Sequence, residues 1–238
     1  MNLPTETILM DFGWQRLEGK WYYIFDGSYA PNGYRIQTGI SLTVNGSLNA
    51  WQVGQDLLGA FELCSNQRTS ATMVLFSLLG VLFKPFEEAG YPIRFLLFVN
   101  GKSGSMKTTI GKLLFNLQSK NGNRNTRRID SDTITSIERA IVLTGVDSST
   151  FVDDFAPQRT MRKKNELQNK LEYLIRMVGD GATKSRSNAM IEDIQGEGIG
   201  GVVTVAGEIR GTGLSSVLRC FYAYIERGEA NVEMITRY

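Results

Sequence analysis

The chain has 238 residues, 42% hydrophobic and 21% charged, which is the composition of a globular protein and not of a disordered one. It contains no histidine, which excludes Ser-His-Asp and Cys-His catalysis and every histidine-ligated metal site. Its 26 basic and 24 acidic residues leave a net charge of only +2, so bulk charge neither requires nor excludes a nucleic-acid partner.

Residues 1–53 are predicted to form a small β-rich module. The runs Trp21–Phe25 and Ile40–Val44 have the aromatic and β-branched content of strands, and turn dipeptides such as Asn32-Gly33 separate them. About fifty residues make a marginal core on their own, so we expect this module to pack on the part of the chain that follows.

Residues 54–92 are predicted to be a helical connector. Their longest apolar run, Met73–Phe83, falls well short of the roughly 20 residues that a membrane-spanning helix needs, so it predicts a buried core helix. The N-terminus lacks the pattern of a signal peptide, and we expect a cytoplasmic protein without a membrane partner. The two cysteines, Cys64 and Cys220, are too few for a zinc or iron–sulfur site. Both are expected to be buried and reduced, with a disulfide between them as the alternative.

Residues 93–238 alternate between strand-like and helix-like segments. This alternation predicts an α/β fold with a parallel sheet flanked by helices. Apolar runs predict strands at Ile93–Asn100, Thr150–Asp154 and Val202–Gly207, and helical periodicity predicts helices at Thr108–Leu117, Thr135–Thr144 and Met161–Val178.

The sequence GKSGSMKT at residues 101–108 follows a predicted strand and opens a predicted helix. The phosphate-loop pattern is Gly, four residues, then Gly-Lys-Ser/Thr, and only Met106 departs from it. Backbone N–H groups of such a loop cradle the β-phosphate of ATP, Lys107 would reach the β- and γ-phosphates, and the Thr108 hydroxyl would hold Mg²⁺. The predicted nucleotide-binding residues are Gly101, Ser103, Gly104, Ser105, Met106, Lys107, Thr108 and Thr109.

The alternative interpretation is a Gly/Ser loop with a surface lysine. Met106 favours it, because a side chain at this position crowds a loop that needs a positive φ.

Two carboxylates end the predicted strand at Thr150–Asp154. Phosphoryl transfer from ATP needs a carboxylate near the metal and a group that orients the attacking water. We assign Asp153 to Mg²⁺ and Asp154 to orienting or deprotonating water; an exposed acidic loop is the alternative. The spacing between Lys107 and Asp153 leaves room for one helix–strand unit.

The strand at Val202–Gly207 is typical of one that ends beside the γ-phosphate. Glu208 or Thr204 would then be a polar sensor, although a purely structural strand end fits equally well. Three arginines, Arg186, Arg210 and Arg219, are candidates to complete a neighbouring subunit's site, and each is otherwise an ordinary surface residue. The Gly-x-Gly-x-x-Gly match at 196–201 precedes a strand, so it is interpreted as a flexible loop and not as a dinucleotide site.

Several of these motifs together resemble those of one group of enzymes. They are GKSGSMKT, Ser131-Asp132-Thr133 leading into Ile137-Glu138, Val152-Asp153-Asp154 and Ala206-Gly207-Glu208. The chain resembles the helicase-like P-loop ATPases of phages, plasmids and other bacterial mobile elements, close to superfamily 3 and AAA+ enzymes. Phe12-Gly13-Trp14 and the β segment after it are similar to the module that precedes the ATPase in such proteins.

The resemblance implies a Mg²⁺-dependent ATPase that forms a ring, such as a hexamer, of identical subunits. ATP would lie between subunits, with Arg219 or Arg186 acting in trans, and the motor would move along or unwind DNA during element replication. The relatives begin another helix where this chain has residues 231–238, which implies a fragment.

Two basic clusters would contact nucleic-acid phosphates nonspecifically in such a ring. They are Lys120, Arg124, Arg127 and Arg128, and Arg159, Arg162, Lys163, Lys164 and Lys170. Solvated surface is the competing interpretation. Two other functions also stay open: a P-loop kinase of small molecules, and a nucleotide-gated interaction module that does not hydrolyse ATP.

Overall fold

The computed structural model describes residues 7–9, 13–24, 33–36, 49–115, 126–143, 147–183, 186–187, 193–194, 198–211 and 218–237. The N-terminal part contains strands β1 Thr7–Leu9, β2 Gly13–Leu17, β3 Lys20–Ile24 and β4 Tyr34–Ile36, then helices α1 Ala50–Gly59, α2 Gln67–Val81 and α3 Phe83–Glu88. The rest contains β5 Leu96–Asn100, α4 Lys107–Phe115, β6 Thr126–Arg128, α5 Ile134–Leu143, β7 Ser149–Phe155, α6 Met161–Asp180, β8 Arg186–Ser187, β9 Asp193–Ile194, β10 Val202–Gly207, β11 Cys220–Tyr224 and α7 Val232–Arg237.

Five of these strands form one parallel sheet in the order β11-β5-β10-β7-β6. The predicted α/β fold is confirmed, and the three predicted strands appear as β5, β7 and β10, although β5 begins at Leu96 and not at Ile93. Every residue of β10 is buried, as expected for an apolar strand covered on both faces. Because β10 lies between β5 and β7, the ends of these three strands meet at one edge of the sheet.

Helices cover both faces of the sheet, and the alternation of side chains along β5 supplies both cores. Leu97 and Val99 pack with α2 and α4, whereas Leu96 and Phe98 pack with α5 and α6. The core helix predicted at Met73–Phe83 is confirmed as far as Val81, where α2 ends, and Phe83 begins α3. Met73 is fully buried. None of the helices described is both long and apolar enough to span a bilayer.

The β2–β3 hairpin is tied to the junction of α2 and α3. The Trp14 backbone N–H donates to Asp147 Oδ2 (2.7 Å), and its indole Nε1–H donates to Val81 O (3.0 Å). The other oxygen of Asp147, Oδ1, accepts the Lys84 N–H (2.7 Å). The hairpin therefore packs on the core, as expected of the N-terminal module. The boundaries of that module at residues 53 and 92 stay a prediction.

Three local expectations need correction. Helix α5 begins at Ile134 because Thr133 caps it, its Oγ1 accepting from the Ser136 N–H (3.2 Å). Helix α6 extends to Asp180, two residues beyond the predicted end at Val178, and Gly181, at φ +73°, ends it. Cys64 is buried, but Cys220 is only half-buried because β11 is an edge strand; both thiols are free.

Some predicted features lie outside the described residues. They are Phe12, the strand at Ile40–Val44, Lys120, Arg124, Thr144, Gly196 and Glu197, and the last two residues of the helix predicted at Thr108–Leu117.

Candidate nucleotide-binding site

The predicted phosphate loop connects the end of β5 to the start of α4. Gly101 follows β5 and is closely packed, since a Cβ there would lie 2.5 Å from Ile225 O and 2.5 Å from Ser105 Oγ. The Ser105 side chain is buried, and its Oγ has no hydrogen-bond partner among the described residues. The Gly101 N–H donates to Gly207 O (3.0 Å), which joins the loop to the end of β10.

Met106 adopts the conformation that the glycine of the pattern would adopt. Its φ is +63°, in the left-handed region that costs a side chain about 1–2 kcal/mol. The Met106 side chain is half-buried against the core beneath α2 and α4, which offsets this cost. The Met106 carbonyl accepts the Ile110 N–H (3.0 Å), so the helix begins directly after the loop. The loop thus keeps the backbone that a phosphate site needs.

Lys107 is the first residue of α4 and is only 9% exposed. Its Nζ lies 3.5 Å from Lys102 O, so the ammonium group folds back over the loop. Thr108 is half-buried in the same first turn, and Ser103 and Thr109 are exposed. The loop therefore presents an ammonium group and a hydroxyl group at the positive end of the α4 dipole.

Asp153 lies on the face of β7 that packs against α4. Two residues earlier, the Phe151 ring stacks on Phe115 (6.1 Å between centroids), and a Cβ at Gly111 would lie 2.2 Å from the same ring. Because side chains on one face of a strand recur every second residue, Asp153 faces the same side, one step nearer the amino end of α4. Asp153 is buried, and this register brings its carboxylate toward Lys107 and Thr108.

Asp154 occupies a β-bulge. On β10, Val205 pairs with Val152 and Gly207 pairs with Phe155, so β7 carries one extra residue in this interval. The φ of Asp154 is +69°, and Phe155 consequently packs in the same core as Val152. Bulges and left-handed non-glycine residues are concentrated at functional sites, where they redirect a side chain. Asp154 is half-exposed at the sheet edge.

Arg128, at the end of the neighbouring strand β6, pairs with Asp154 through Nη2 and also binds Asp130 (3.1 and 3.2 Å). Burial raises the pKa of Asp154, Arg128 opposes that rise, and the nearby carboxylates of Asp153 and Asp130 add to it. The positive charge of Lys107 also lowers the pKa of Asp154, so the phosphate loop and the bulge interact electrostatically.

Glu208 follows β10 directly and its N–H donates to Phe155 O (2.9 Å). It therefore lies between the phosphate loop and the carboxylates of β7. Thr204 is placed differently: it is fully buried in the middle of β10, opposite Leu97 and Phe151. Of the two predicted sensors, only Glu208 is at the edge of the sheet where the loop lies.

The three candidate arginines lie in different places. Arg219 directly precedes β11, so it is at the amino edge of the sheet, opposite the phosphate loop, and it pairs with Asp180 (3.1 Å). Arg210 lies over the rings of Tyr222 and Tyr224, 5.4 and 4.7 Å from their centroids. Arg186 belongs to β8, which pairs with β9 outside the main sheet. The structure does not bring these arginines together.

Arg227 was not found by sequence reasoning. It follows β11, and its Nε–H donates to Ser103 O in the phosphate loop (2.7 Å). No motif spacing links it to the loop, because the contact joins residues 124 positions apart in the chain.

The residues present fit a magnesium ion held by few protein ligands. Among the described residues, no group of three or more acidic or cysteine side chains could hold a metal. Mg²⁺ in nucleotide sites usually takes one or two protein oxygens together with phosphates and water. The Thr108 hydroxyl and the Asp153 carboxylate are oxygen donors of that kind.

Comparison with solved structures places the fold. The chain is similar to the active helicase Cch of SCCmec type IV, with a TM-score of 0.60 and 11% identity over 97% of this chain and 42% of that chain. The chain is also similar to JCV helicase, with a TM-score of 0.44 and 13% identity over 73% of this chain and 44% of that chain. The C-terminal region of NrS-1 gives a TM-score of 0.45 and 11% identity over 90% of this chain and 50% of that chain.

No protein-family model and no curated protein matches the chain. The chain shares the fold of Cch, and it spans less than half the length of that protein.

Proposed function

We propose that this chain is the ATPase core of a motor that hydrolyses ATP with Mg²⁺ and acts on DNA in the replication of a phage or mobile element. One observation supports this most strongly. The phosphate loop after β5 and the bulged carboxylate pair of β7 lie at the same edge of the sheet, with Glu208 of β10 between them.

Nucleotide binding is the task of the loop and the start of α4. The backbone N–H groups near Gly104 and Ser105 would bind the β-phosphate, and the Lys107 ammonium would leave Lys102 O for the β- and γ-phosphates. Gly101, Met106 and the exposed Thr109 shape and extend this segment.

Hydrolysis would depend on the two carboxylates. Thr108 and Asp153 would hold Mg²⁺, which neutralises phosphate charge when bound. The bulge redirects Asp154. Once its ion pair with Arg128 is broken, Asp154 would orient the attacking water and accept a proton from it. Glu208 would respond to the γ-phosphate from the end of β10.

A ring of identical subunits would explain why Arg219 lies far from its own phosphate loop. In a ring, the edge of one subunit faces the site of the next, so an arginine there can stabilise the transition-state charge in trans. Arg219 and Arg186 are the candidates, and the hexamer is the proposed assembly.

Contact with DNA is assigned to the start of α6. Arg128 is held by acidic partners and Lys170 donates to the carbonyls of Ile129 and Asp132 (3.2 and 3.0 Å), so neither is free for DNA. The second basic cluster has four other cations, which are exposed and form no ion pair within the described part of the chain: Arg159, Arg162, Lys163 and Lys164. The first turn of α6 holds no acidic residue, so cations stand unbalanced at the positive end of a helix. A polyanion would relieve this repulsion.

The nucleotide-gated module stays the second candidate because Asp154 is paired with Arg128 in the structure. If that pair persists with ATP bound, the chain would bind nucleotide without hydrolysing it.

The test is ATP hydrolysis with Mg²⁺, with and without single-stranded DNA. Lys107→Ala should abolish turnover, while Lys112→Ala, an exposed lysine of the same helix, should leave it unchanged. DNA-stimulated turnover would support the motor, and turnover insensitive to DNA would contradict it. ATP binding without turnover would favour the nucleotide-gated module.

A further inference from the structure

The first half of the phosphate loop is a tight turn. The Ser105 N–H donates to Lys102 O (3.1 Å), which closes a four-residue turn with Ser103 and Gly104 at its centre. Gly104 has φ +82°, whereas Ser103 has no positive φ, and this combination defines a type II turn.

The central peptide of such a turn has two orientations. Types I and II differ mainly in rotation of the peptide between the two central residues, here the Ser103 carbonyl and the Gly104 N–H. Glycine at the third position accepts both, because it has no Cβ to exclude either. The turn by itself therefore leaves the direction of the Gly104 N–H weakly determined.

Arg227 contacts this central peptide. Its Nε–H donates to Ser103 O at 2.7 Å. In a trans peptide the C=O and the following N–H point in opposite directions, so the Gly104 N–H points away from Arg227. Rotation of the peptide to the type I orientation would break the Arg227 hydrogen bond.

The segment that carries Arg227 is itself held against the loop. The Ile225 N–H donates to Asn100 O (2.9 Å), and the Ile225 carbonyl lies against Gly101. The Glu226 N–H, just before Arg227, donates to Glu229 Oε2, just after it (2.8 Å), which closes the turn after β11. The guanidinium group is therefore presented from a fixed backbone and not from a free tail.

We propose that Arg227 is a positioning residue that fixes the Ser103–Gly104 peptide so that the Gly104 N–H is available to the β-phosphate of a bound nucleotide. This inference rests on the nucleotide binding proposed above. It assigns the effect to the Nε donor and not to the charge of the side chain.

Three substitutions separate these two contributions. In Arg227→Gln the amide Nε2 stands at the same position along the side chain as Nε, so the hydrogen bond to Ser103 O can be kept without the charge. Arg227→Lys keeps the charge but has a methylene at that position. Arg227→Met removes both. Arg139→Met, at an exposed arginine of α5, is the matched control.

The experiment measures the Kd for ADP with Mg²⁺ for all variants, and the change of the Gly104 amide resonance on ADP binding. Loss of a hydrogen bond from a charged donor is expected to raise Kd about tenfold in Arg227→Met and Arg227→Lys, with the Gly104 shift reduced. Arg227→Gln should bind within about threefold of the unsubstituted protein, since its neutral hydrogen bond is weaker but present.

Two results would overturn the proposal: equal Kd values for all Arg227 variants, or rescue by lysine and not by glutamine. Neither result would contradict the proposal that the chain binds nucleotide. Failure of the unsubstituted protein and of Arg139→Met to bind ADP would instead overturn the proposed function. Thermal unfolding of each variant shows whether the substitution changes stability. A merely structural role would lower Tm in Arg227→Lys without altering the Gly104 resonance.

Discussion

Arg128 Nη2 and Asp154 Oδ2 form an ion pair between neighbouring strands, at the point where β7 bulges. The same guanidinium group binds Asp130, so one cation serves two carboxylates. In this arrangement the residue proposed to activate water is already occupied. Release of Asp154 from Arg128 is therefore a step that precedes hydrolysis in the proposed mechanism.

Arg128→Met should move the acidic limb of the kcat–pH profile to higher pH. Burial already raises the pKa of Asp154, and Arg128 lowers it, so removing the cation leaves the carboxyl group more basic. The measurement is the dependence of ATP turnover on pH, compared between Arg128→Met and the unsubstituted protein. Arg139→Met should leave the profile unchanged. A profile that does not move in Arg128→Met would mean that the ion pair does not govern this step.

At position 106, glycine should be tolerated better than alanine. Both substitutions lose the half-buried side chain, but only glycine takes a φ of +63° without strain. We expect Met106→Ala to unfold more easily than Met106→Gly by about 1 kcal/mol, measured by denaturant unfolding. The reverse order would show that the loop does not keep a left-handed residue here in solution. Nucleotide affinity of Met106→Gly should be unchanged.

Gly111→Ala should be strongly destabilising although it lies in a helix. A Cβ at this position would lie 2.2 Å from the Phe151 ring, which stacks on Phe115 beneath the phosphate loop. Overpacking of this kind costs about 1–3 kcal/mol. Gly54→Ala, in α1 with open space around it, is the control and should stabilise by up to about 1 kcal/mol. Similar unfolding free energies for the two variants would contradict the packing of α4 on β7.

The sequence was informative where local chemistry determines structure. The apolar run before Gly101 predicted a strand covered on both faces, and the glycine position of the loop motif predicted the positive φ that Met106 adopts. The order of the strands along the chain does not predict that β10 lies between β5 and β7 in the sheet. The sheet order arises from packing on both faces, and it alone brings Glu208 beside the loop.

Contacts between distant residues could not be predicted either. The pairing of Arg128 with Asp154 depends on which strands are neighbours, and the bulge depends on register with β10. Arg227 reaches Ser103 across 124 positions. The position of Arg219 at the far edge of the sheet likewise follows from β11 being parallel to β5.

Asp147 joins the N-terminal hairpin to the core, and its titration should appear in the stability of the protein. It is fully buried, and burial raises its pKa from an ordinary 3.8 to about 6, against the N–H donors of Lys84 and Trp14 and the charge of Lys84. The carboxylate of Glu87 adds to the rise. Between about pH 4 and pH 6 the folded chain therefore holds a proton that the unfolded chain has released.

The free energy of unfolding should consequently fall as pH rises through this window, by roughly 2–3 kcal/mol for this one group. Asp147→Asn does not titrate and should lack this slope, although its amide satisfies only one of the two N–H donors and so lowers stability at pH 4. Denaturant unfolding of both proteins from pH 4 to pH 7 gives the difference between their free energies of unfolding at each pH. The contributions of titrating groups that both proteins share cancel in this difference. The unsubstituted protein should be more stable than Asp147→Asn at pH 4, and this difference in free energy of unfolding should become smaller as pH rises. Parallel curves would mean that the pKa of Asp147 is not shifted. A widening gap would mean that the two N–H donors outweigh burial and that the ionised carboxylate is the form that holds the hairpin to the core.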